Sequence, residues 1–281
     1  MLDDVALIIL LFASFSNMPL AIAHGDAMEE VIVISARHHR SLDDTPLRVQ
    51  VLGAEELREK ANMKPGDIRM MLNESTGIQV QQTSATSFNS SVRIQGLDGR
   101  YTQLLRDGLP IYAGFSGSLS LLQIAPLDLE QVEVVKGASS TLYGGGAIAG
   151  LINLVSKTPK ETPETALMLN ATSAHGVDLS AFHSSEKDSQ GVTLFATYNR
   201  GAAYEPADNG ISAIPEFERF TFTPRWFYSV SDKTNLDLGV GFITEDRLGG
   251  SIEYIDGASP NDYFESNDST RFYTRFGLAH V

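Results

Sequence analysis

Two kinds of hydrophobic periodicity divide the chain. Between Gly53 and Gly77, apolar residues recur at helical spacings and Pro65-Gly66 interrupts them, which predicts two short helices. From Ile78 onward the apolar residues follow the period of β-strands instead. We place these strands at residues 78–80, 92–94, 102–105 and 132–135. Residues 81–91 are polar, so this part of the chain predicts a small mixed α+β domain with long loops.

Beyond Pro163, apolar and polar residues alternate in stretches of about ten residues, as in strands that cross a membrane as a barrel. The pattern predicts no helix in this region. A soluble β-sandwich alternates with the same period, so the period leaves both architectures open. Aromatic residues that fit an interfacial girdle at strand ends are Tyr198, Tyr204, Tyr228 and Tyr254. Apolar residues that alternate include Leu167, Leu169, Val177, Leu179, Val192, Leu194, Phe220, Phe222, Leu236, Leu238, Val240 and Phe242.

The first 23 residues have the features of an export signal. An apolar run from Val5 to Phe15 is followed by a break at Asn17-Met18-Pro19 and by the small residues Ala21-Ile22-Ala23. This pattern predicts cleavage after Ala23. The alternative is a membrane-spanning helix, because the segment approaches the roughly 20 apolar residues that a bilayer requires.

Composition narrows the range of functions. Lysine and arginine number 21 against 35 aspartates and glutamates, a net charge of −14, which argues against a nucleic-acid partner held by phosphate contacts. The chain has no cysteine, which excludes disulfides, thiolate metal sites and a cysteine nucleophile. Its six histidines show no ligand spacing. The sequence therefore predicts no metal, no cofactor and no catalytic residue.

The glycine-rich run at Gly144 raises an enzymatic alternative. Residues Gly144 to Ala149 fit the spacing of a dinucleotide-binding fingerprint, which must open a helix after a strand. The residues that follow, Leu151 to Val155, are instead typical of a strand, and Pro159 comes soon after them. We therefore favour a structural role for these glycines, which permit tight turns and close backbone approach. A soluble nucleotide-binding enzyme is the less favoured alternative.

Two stretches carry a pattern more specific than periodicity. They are RIQGLDGRYTQLLRDGLPI, Arg93 to Ile111, and EVVKGASSTLYGGGAIAGLINLVSK, Glu133 to Lys157. In order and spacing they resemble the plug domain of TonB-dependent receptors, and the resemblance extends over roughly residues 29–160. Ala138 departs from the proline usual in that family, and Ala149 stands where a second glycine is frequent. Residues that we assign to structural turns on this basis are Gly96, Asp107, Gly108, Gly137, Tyr143 and Gly144.

The resemblance implies a fold and a division of the chain. An α+β plug domain, a small mixed sheet with short helices, precedes the first antiparallel strands of a transmembrane β-barrel of about 22 strands. Residues after Lys157 suffice for about five to seven strands of about 9 to 11 residues each. We therefore expect an incomplete barrel, and a chain that neither closes a barrel nor transports by itself. The assigned segments are 1–23 signal peptide, 24–50 TonB box and linker, 51–158 plug and 159–281 N-terminal part of the barrel.

The resemblance also implies a function. Members of this receptor family take up scarce ligands across the outer membrane of Gram-negative-type bacteria, with energy delivered through TonB. Such ligands include ferric siderophores, haem and cobalamin, and the sequence does not choose among them. The alternative within the family is a barrel-less receptor fragment with only a binding or regulatory role.

The segment EEVIVISAR, from Glu29 to Arg37, is a short β-branched run with no partner strand nearby and a turn-rich linker behind it. Since the resemblance places the TonB box before the plug, we interpret it as the box, an exposed strand that adds to the edge of TonB. An ordinary first strand of the plug is the alternative. The predicted box residues are Glu30, Val31, Ile32, Val33, Ile34, Ser35 and Ala36.

Two further sets of residues follow from the resemblance. The loops at residues 81–91 and 112–119 correspond to ligand-facing loops, with Gln82, Phe88, Tyr112 and Phe115 as contact candidates; packing against the barrel is the alternative for each. Arg93 and Lys136 correspond to basic plug positions that pair with carboxylates on the barrel wall. In the family those carboxylates lie on barrel strands later than the ones in this sequence. We therefore expect both side chains to be solvated here.

Overall fold

The computed structural model describes residues 32–33, 40–41, 49–61, 66–82, 84, 90–111, 121–137 and 143–280. The predicted export signal lies outside the described residues. The elements up to residue 156 are, in chain order, β1 (Ile32–Val33), β2 (Arg40–Ser41), β3 (Val49–Leu52), α1 (Ala54–Ala61), α2 (Arg69–Asn73), β4 (Ile78–Gln82), β5 (Ser90–Ile94), β6 (Thr102–Arg106), β7 (Leu109–Pro110), β8 (Leu129–Lys136) and β9 (Gly150–Ser156), with 3₁₀ turns at Gly99–Tyr101, Leu121–Gln123 and Gly145–Ala147.

A five-stranded sheet lies at the centre of this domain, in the order β3-β8-β9-β6-β7. The β6–β9 pair is parallel and the other pairs are antiparallel, so the sheet is mixed, as predicted. The helices and strands expected from the periodicity are confirmed. Periodicity missed β3, whose pairing with β8 is non-local and begins at Val49, before the boundary predicted at residue 51.

Alternate residues of the central strands fill the domain core. Ile152 and Leu154 of β9 are fully buried in one cluster with Leu57 of α1 and Leu72 of α2. Leu151, the neighbour of Ile152 on the strand, lies in a second cluster with Leu105. The two helices thus cover one face of the sheet. Lys60 reinforces this arrangement, since its ammonium pairs with Glu56 at 2.9 Å and with Glu74 at 3.3 Å.

Gly150 shows why the glycine-rich run requires glycine. Its φ is +146°, and a Cβ at this position would lie 2.2 Å from the backbone oxygen of Val135 on the neighbouring strand. Only a residue without a side chain permits this approach. The 3₁₀ turn at Gly145–Ala147 leads directly into β9, so no helix follows the glycines and the geometry of a dinucleotide fingerprint is absent.

Six antiparallel strands follow in sequence order, and we call this sheet the wall. The strands are β10 (Glu164–Ala171), β11 (Val177–Lys187), β12 (Gln190–Gly201), β13 (Glu216–Ser231), β14 (Thr234–Gly250) and β15 (Phe264–His280). A one-turn helix, α3 (Ile252–Ile255), lies between the last two, so the prediction of no helix in this region is wrong there. Strands β14 and β15 have 17 residues each, more than the predicted ten, because polar residues beyond the apolar band continue the pairing.

The two faces of the wall have opposite polarity. We call the N-terminal domain, residues 49–156, the plug. Side chains of the wall that face away from the plug are mostly apolar and exposed, as at Leu169 and Phe276, which are 75% and 68% exposed. Side chains that face the plug are mostly polar and buried. This inverted alternation is the one that membrane barrels show, so the wall is not a sandwich layer. The buried polar residues include Ser180, Thr193, Thr197, Asn199, Arg219, Thr221, Thr223, Glu245 and Arg247.

The two ends of the wall also differ. At one end the strands are joined by two-residue turns, at residues 188–189 and 232–233. At the other end they are joined by longer loops, at residues 172–176, 202–215 and 251–263. We call these the turn end and the loop end. Tyr204 and Tyr254, predicted at strand ends, lie in the loop-end segments instead.

Candidate functional site between the plug and the wall

The plug lies against the polar face of the wall through side chains of both parts. Near the loop end, the guanidinium of Arg219 donates to the carbonyl of Gly66 at 2.7 Å and to the side chain of Asn199 at 3.0 Å. A Cβ on Gly66 would lie 2.6 Å from Asp178, so glycine allows this close contact. Further along the wall, the amide of Gln123 donates to Glu245 at 2.5 Å and to Ser269 at 3.2 Å.

Nearer the turn end, a carboxylate of the plug meets two arginines of the wall. Asp107 lies 3.5 Å from a terminal nitrogen of Arg225 and is also paired with Arg275. Both arginines bind Asp237 of β14, each at 2.7 Å. Arg106, the neighbour of Asp107, pairs instead with Asp128 inside the plug. The charges at this end are therefore arranged across the boundary between plug and wall.

Burial and charge oppose each other at Asp107. Its side chain is 11% exposed, and burial disfavours the ionised form. The guanidinium groups of Arg225, Arg275 and Arg106 outweigh that effect, together with the amide of Ser156, and hold the pKa of Asp107 below its usual range. The plug therefore presents an ionised carboxylate to the wall at neutral pH.

A cavity of about 210 Å³ lies beside these charges, between the plug and the wall. Its lining is mixed: Ile124 and Phe195 are apolar, whereas Thr221 and Thr223 have buried hydroxyls without a hydrogen-bond partner among the described residues. Such a cavity is large and polar enough for ordered water. Other lining residues include Arg106, Asp107, Gln123, Asp128, Arg225, Arg271, Tyr273 and Arg275.

The predicted wall-facing cations lie elsewhere. Arg93 is half-buried, and its guanidinium donates to Gln81 at 3.0 Å and to the carbonyl of Gly96 at 2.8 Å. Lys136 donates to Gln50 at 2.7 Å and to the carbonyl of Thr76. Both side chains have acceptors of the plug itself within reach, while the hydrogen bonds of Arg93 lie at the surface, so the expectation that both are solvated stays a prediction. No carboxylate of the described wall residues pairs with either one in these contacts.

The predicted ligand-facing residues lie mostly outside the described residues, namely Phe88, Tyr112 and Phe115. Gln82 is exposed at the end of β4, and its amide donates to the carbonyl of Ser84 at 2.8 Å. The hydroxyl of Ser84 donates to Glu265 at 3.2 Å, at the start of β15. The loop that follows β4 therefore contacts the loop end of the wall.

The predicted turn residues have the backbone that turns require. Asp107 and Gly108 form the turn between β6 and β7 with φ of 51° and 78°. Gly96, Gly137 and Gly144 also have positive φ, at 80°, 112° and 79°. Tyr143, the remaining member, packs partly buried against the second core cluster. Sequence alone assigned Asp107 only to a turn, and did not detect its contact with the wall.

The predicted TonB box is described only at Ile32–Val33. These residues pair with Arg40–Ser41 in a two-residue antiparallel ladder. The expectation of a segment without a partner strand is therefore wrong at these two positions. The ladder has only two residue pairs, and the sequence has no alternating pattern there that is long enough to predict it. Other box residues lie outside the described part of the chain.

Two searches of the described residues were negative. No group of three or more His, Asp or Glu side chains is placed to hold a metal ion there. No described helix is long and apolar enough to cross a membrane.

Comparison with known proteins assigns this architecture to a class. Residues 41–151 match the family model of the TonB-dependent Receptor Plug Domain. The ferripyoverdine receptor of the outer membrane of Pseudomonas aeruginosa has the same fold, with a TM-score of 0.64 at 17% identity over 78% of this chain and 28% of that one. Residues 41–151 therefore match a TonB-dependent receptor plug domain, and the antiparallel strands that follow have the fold of receptor barrel strands.

Named relatives lie within the same class. The Ferrioxamine B receptor of Salmonella typhimurium strain SL1344 is 26% identical over 83% of this chain and 33% of its own length. The Vitamin B12 transporter BtuB of Vibrio vulnificus strain CMCP6 is 28% identical over 55% of this chain and 25% of its own length. The chain thus spans about a third or less of the relatives it matches. The matched family is one of receptors and transporters, not of enzymes.

Proposed function

We propose that the chain provides the plug and part of the barrel wall of a TonB-dependent receptor in the outer membrane, which takes up a scarce ligand. The observation that carries this proposal is the inverted wall: an apolar outer face, and a polar inner face that hydrogen-bonds to a plug domain. Lipid covers the first face and the plug covers the second. Transport, and not catalysis, is the activity that this arrangement supports.

Membrane location can be tested on a receptor in which this chain is continued to a complete barrel. In cells that make it, the epitope-tagged receptor is expected in the outer-membrane fraction, resistant to extraction with carbonate or high salt. Substitution of Leu194 by Arg, which places a charge on the outer face, is expected to deplete the membrane fraction. An equal yield of soluble parent receptor in the periplasm or cytoplasm would contradict the proposal.

The ligand belongs to the iron-chelate or cobalamin class on this proposal. The relatives named above are receptors for ferrioxamine B and vitamin B12, which supports this range without choosing within it. The loops at residues 81–91 and 112–119 face the ligand, and Gln82, Phe88, Tyr112 and Phe115 are the contact candidates. The contact between Ser84 and Glu265 supports an outward position for the first loop, because long loops of membrane barrels lie outside.

Substitution of Tyr112 and Phe115 by Ala tests these loops. Loss of an aromatic contact is expected to weaken binding of a ferric siderophore or cyanocobalamin by about tenfold, with thermal stability unchanged. Val230→Ala, at an exposed apolar position near the turn end, is the control and is expected to leave binding unchanged. Unchanged affinity with a large loss of stability would instead support packing of these side chains against the wall.

TonB is the partner on this proposal, and residues 30–36 are the box that adds as a strand to its sheet. The two-residue ladder with Arg40–Ser41 is a small barrier to this addition, because few hydrogen bonds must be exchanged. In a receptor whose barrel is complete, proline at Ile32 or Val33 removes a backbone donor and is expected to abolish uptake without loss of ligand binding. Asp43→Pro in the linker is the control and is expected to preserve uptake. Parental uptake with proline at either box position would exclude the assignment.

A further inference from the structure

At the β6–β7 corner, the described contacts place the carboxylate of Asp107 on the plug and the guanidinium groups of Arg225 and Arg275 on the wall. The sequence drew attention to two cations of the plug, Arg93 and Lys136, and expected both to be solvated here. An acidic residue of the plug that meets basic residues of the wall was not predicted.

Asp107 is joined rigidly to the plug. Its Oδ1 accepts a hydrogen bond from the amide of Ser156 at 2.7 Å, which leaves Oδ2 to face the arginines. The next amide in the turn, that of Gly108, donates to Asn153 at 2.9 Å. Asn153 in turn donates to the fully buried carboxylate of Glu133 at 3.0 Å. A force on Asp107 is therefore transmitted to the central strands β8 and β9.

The wall holds the two arginines in place without the plug. Asp237 binds Arg225 of β13 and Arg275 of β15, each at 2.7 Å, so it bridges the strands on both sides of its own. Gly239, next on the inner face of β14, leaves space for them: a Cβ there would lie 3.0 Å from Cγ of Arg225 and 3.6 Å from Cβ of Arg275. Three neighbouring strands thus present a preformed basic site.

Charge balance makes Asp107 the complement of this site. Two arginines face one wall carboxylate in Asp237, so the site without Asp107 has one positive charge in excess. The side chains of Arg225 and Asp237 are 12% and 16% exposed. Leaving a charge unpaired at this depth is unfavourable, whereas pairing it with Asp107 restores balance. The plug corner and the wall therefore stabilise each other.

We propose that Asp107, Asp237, Arg225 and Arg275 form an electrostatic lock that holds the β6–β7 corner of the plug on the wall and must open before that corner can move away. Asp107 acts as a positioning residue in the lock. The proposal depends on the fold of plug and wall, and not on the identity of the ligand or on coupling to TonB.

Amide hydrogen exchange of the full chain in detergent micelles tests the lock. Asp107→Asn keeps an acceptor for the Ser156 amide but removes the charge. Exchange across residues 102–111 is expected to accelerate about tenfold in this variant. Asp98→Asn is the matched control, because Asp98 also accepts a backbone hydrogen bond and pairs with an arginine, Arg100, but is exposed, and its described contacts are within the plug. The control is expected to leave exchange in residues 102–111 unchanged.

A double-mutant cycle separates the lock from a simple turn effect. If Asp107 acts through the arginines, Asp107→Asn should no longer accelerate exchange in a chain that carries Arg225→Gln and Arg275→Gln. An undiminished acceleration in that background would show that Asp107 only supports its own turn, and would overturn the proposal. If the variant with both arginines replaced does not fold, Arg275→Gln alone serves in the cycle, and the Asp107→Asn effect is then expected to be reduced.

Discussion

The plug sheet and the wall use the same alternation of apolar and polar residues for opposite purposes. In β9 of the plug both sets are buried, because other elements cover each face of the strand. In the wall the apolar set is exposed and the polar set is buried against the plug. The comparison shows that a period of two residues specifies a strand, while the neighbours of the strand decide which set is inside.

The largest expected effect comes from removing volume in the plug core. Ile152→Ala is expected to destabilise the protein by about 2 to 5 kcal/mol, because Ile152 is fully buried among aliphatic side chains. Leu167 on the wall is 63% exposed, and Leu167→Ala is expected to lower the free energy of unfolding by less than about 1 kcal/mol. Thermal unfolding in detergent measures both. Equal losses would mean that the outer face of the wall is packed against protein.

A charge on the outer face of the wall is expected to have the next largest effect. Leu194 lies between Thr193 and Phe195, which are buried under the plug, so its own side chain points outward. Leu194→Arg is expected to cost about 2 to 4 kcal/mol in a bilayer. Ser266→Arg, on the outer face close to the loop end, is the depth control and is expected to cost about 1 kcal/mol or less. Equal tolerance of both in lipid vesicles would contradict a membrane-facing surface.

Asp107 gives a smaller effect with a defined pH dependence. Asp107→Asn is expected to lose about 1.5 to 3 kcal/mol at neutral pH, since a hydrogen-bonded charge is removed. A depressed pKa stabilises the fold above the ordinary Asp value of about 3.9, and this contribution is lost as the pH falls through the lower folded value. Charged and titratable groups that face Asp107 are Arg106, Asp128, Arg225, Asp237, Tyr273 and Arg275.

Urea unfolding of parent and variant at several pH values measures this difference. The gap between the two chains is expected to be constant above about pH 4 and to narrow below it. Asp98→Asn, measured in parallel, is the control for general loss of an acidic side chain. A gap that widens as the pH falls would have the wrong sign for a depressed pKa.

The smallest effect is expected at Arg93. Arg93→Gln removes exposed hydrogen bonds to Gln81 and to the carbonyl of Gly96, both within the plug. We expect a loss of about 1 kcal/mol or less in this chain. Thermal unfolding of Arg93→Gln beside Asp107→Asn sharpens the comparison of the two charges. A larger loss at Arg93 than at Asp107 would reverse the order that the described contacts indicate.

Much of the fold was accessible from local patterns. The helices α1 and α2, the strand β4 and the outward set of the wall, such as Leu167 and Leu169, follow from spacing alone. Strand β3 was missed because four residues carry too little periodicity, and its partner β8 is distant in sequence. Lys136 was expected to be solvated, and its contacts with Gln50 and Thr76 were missed, because position in a motif does not show which acceptors lie within reach.

The sequence by itself determined most strand and helix segments, the turns at Asp107-Gly108 and Gly144, and the alternation of the wall strands. These features depend on residues close together in the chain, through side-chain period and the φ values that glycine permits. Only the tertiary structure decided that Asp107 meets Arg225 and Arg275, and that Gln123 meets Glu245. The physical reason is that an ion pair depends on distance and burial, which are set by the packing of plug on wall across more than a hundred residues of chain.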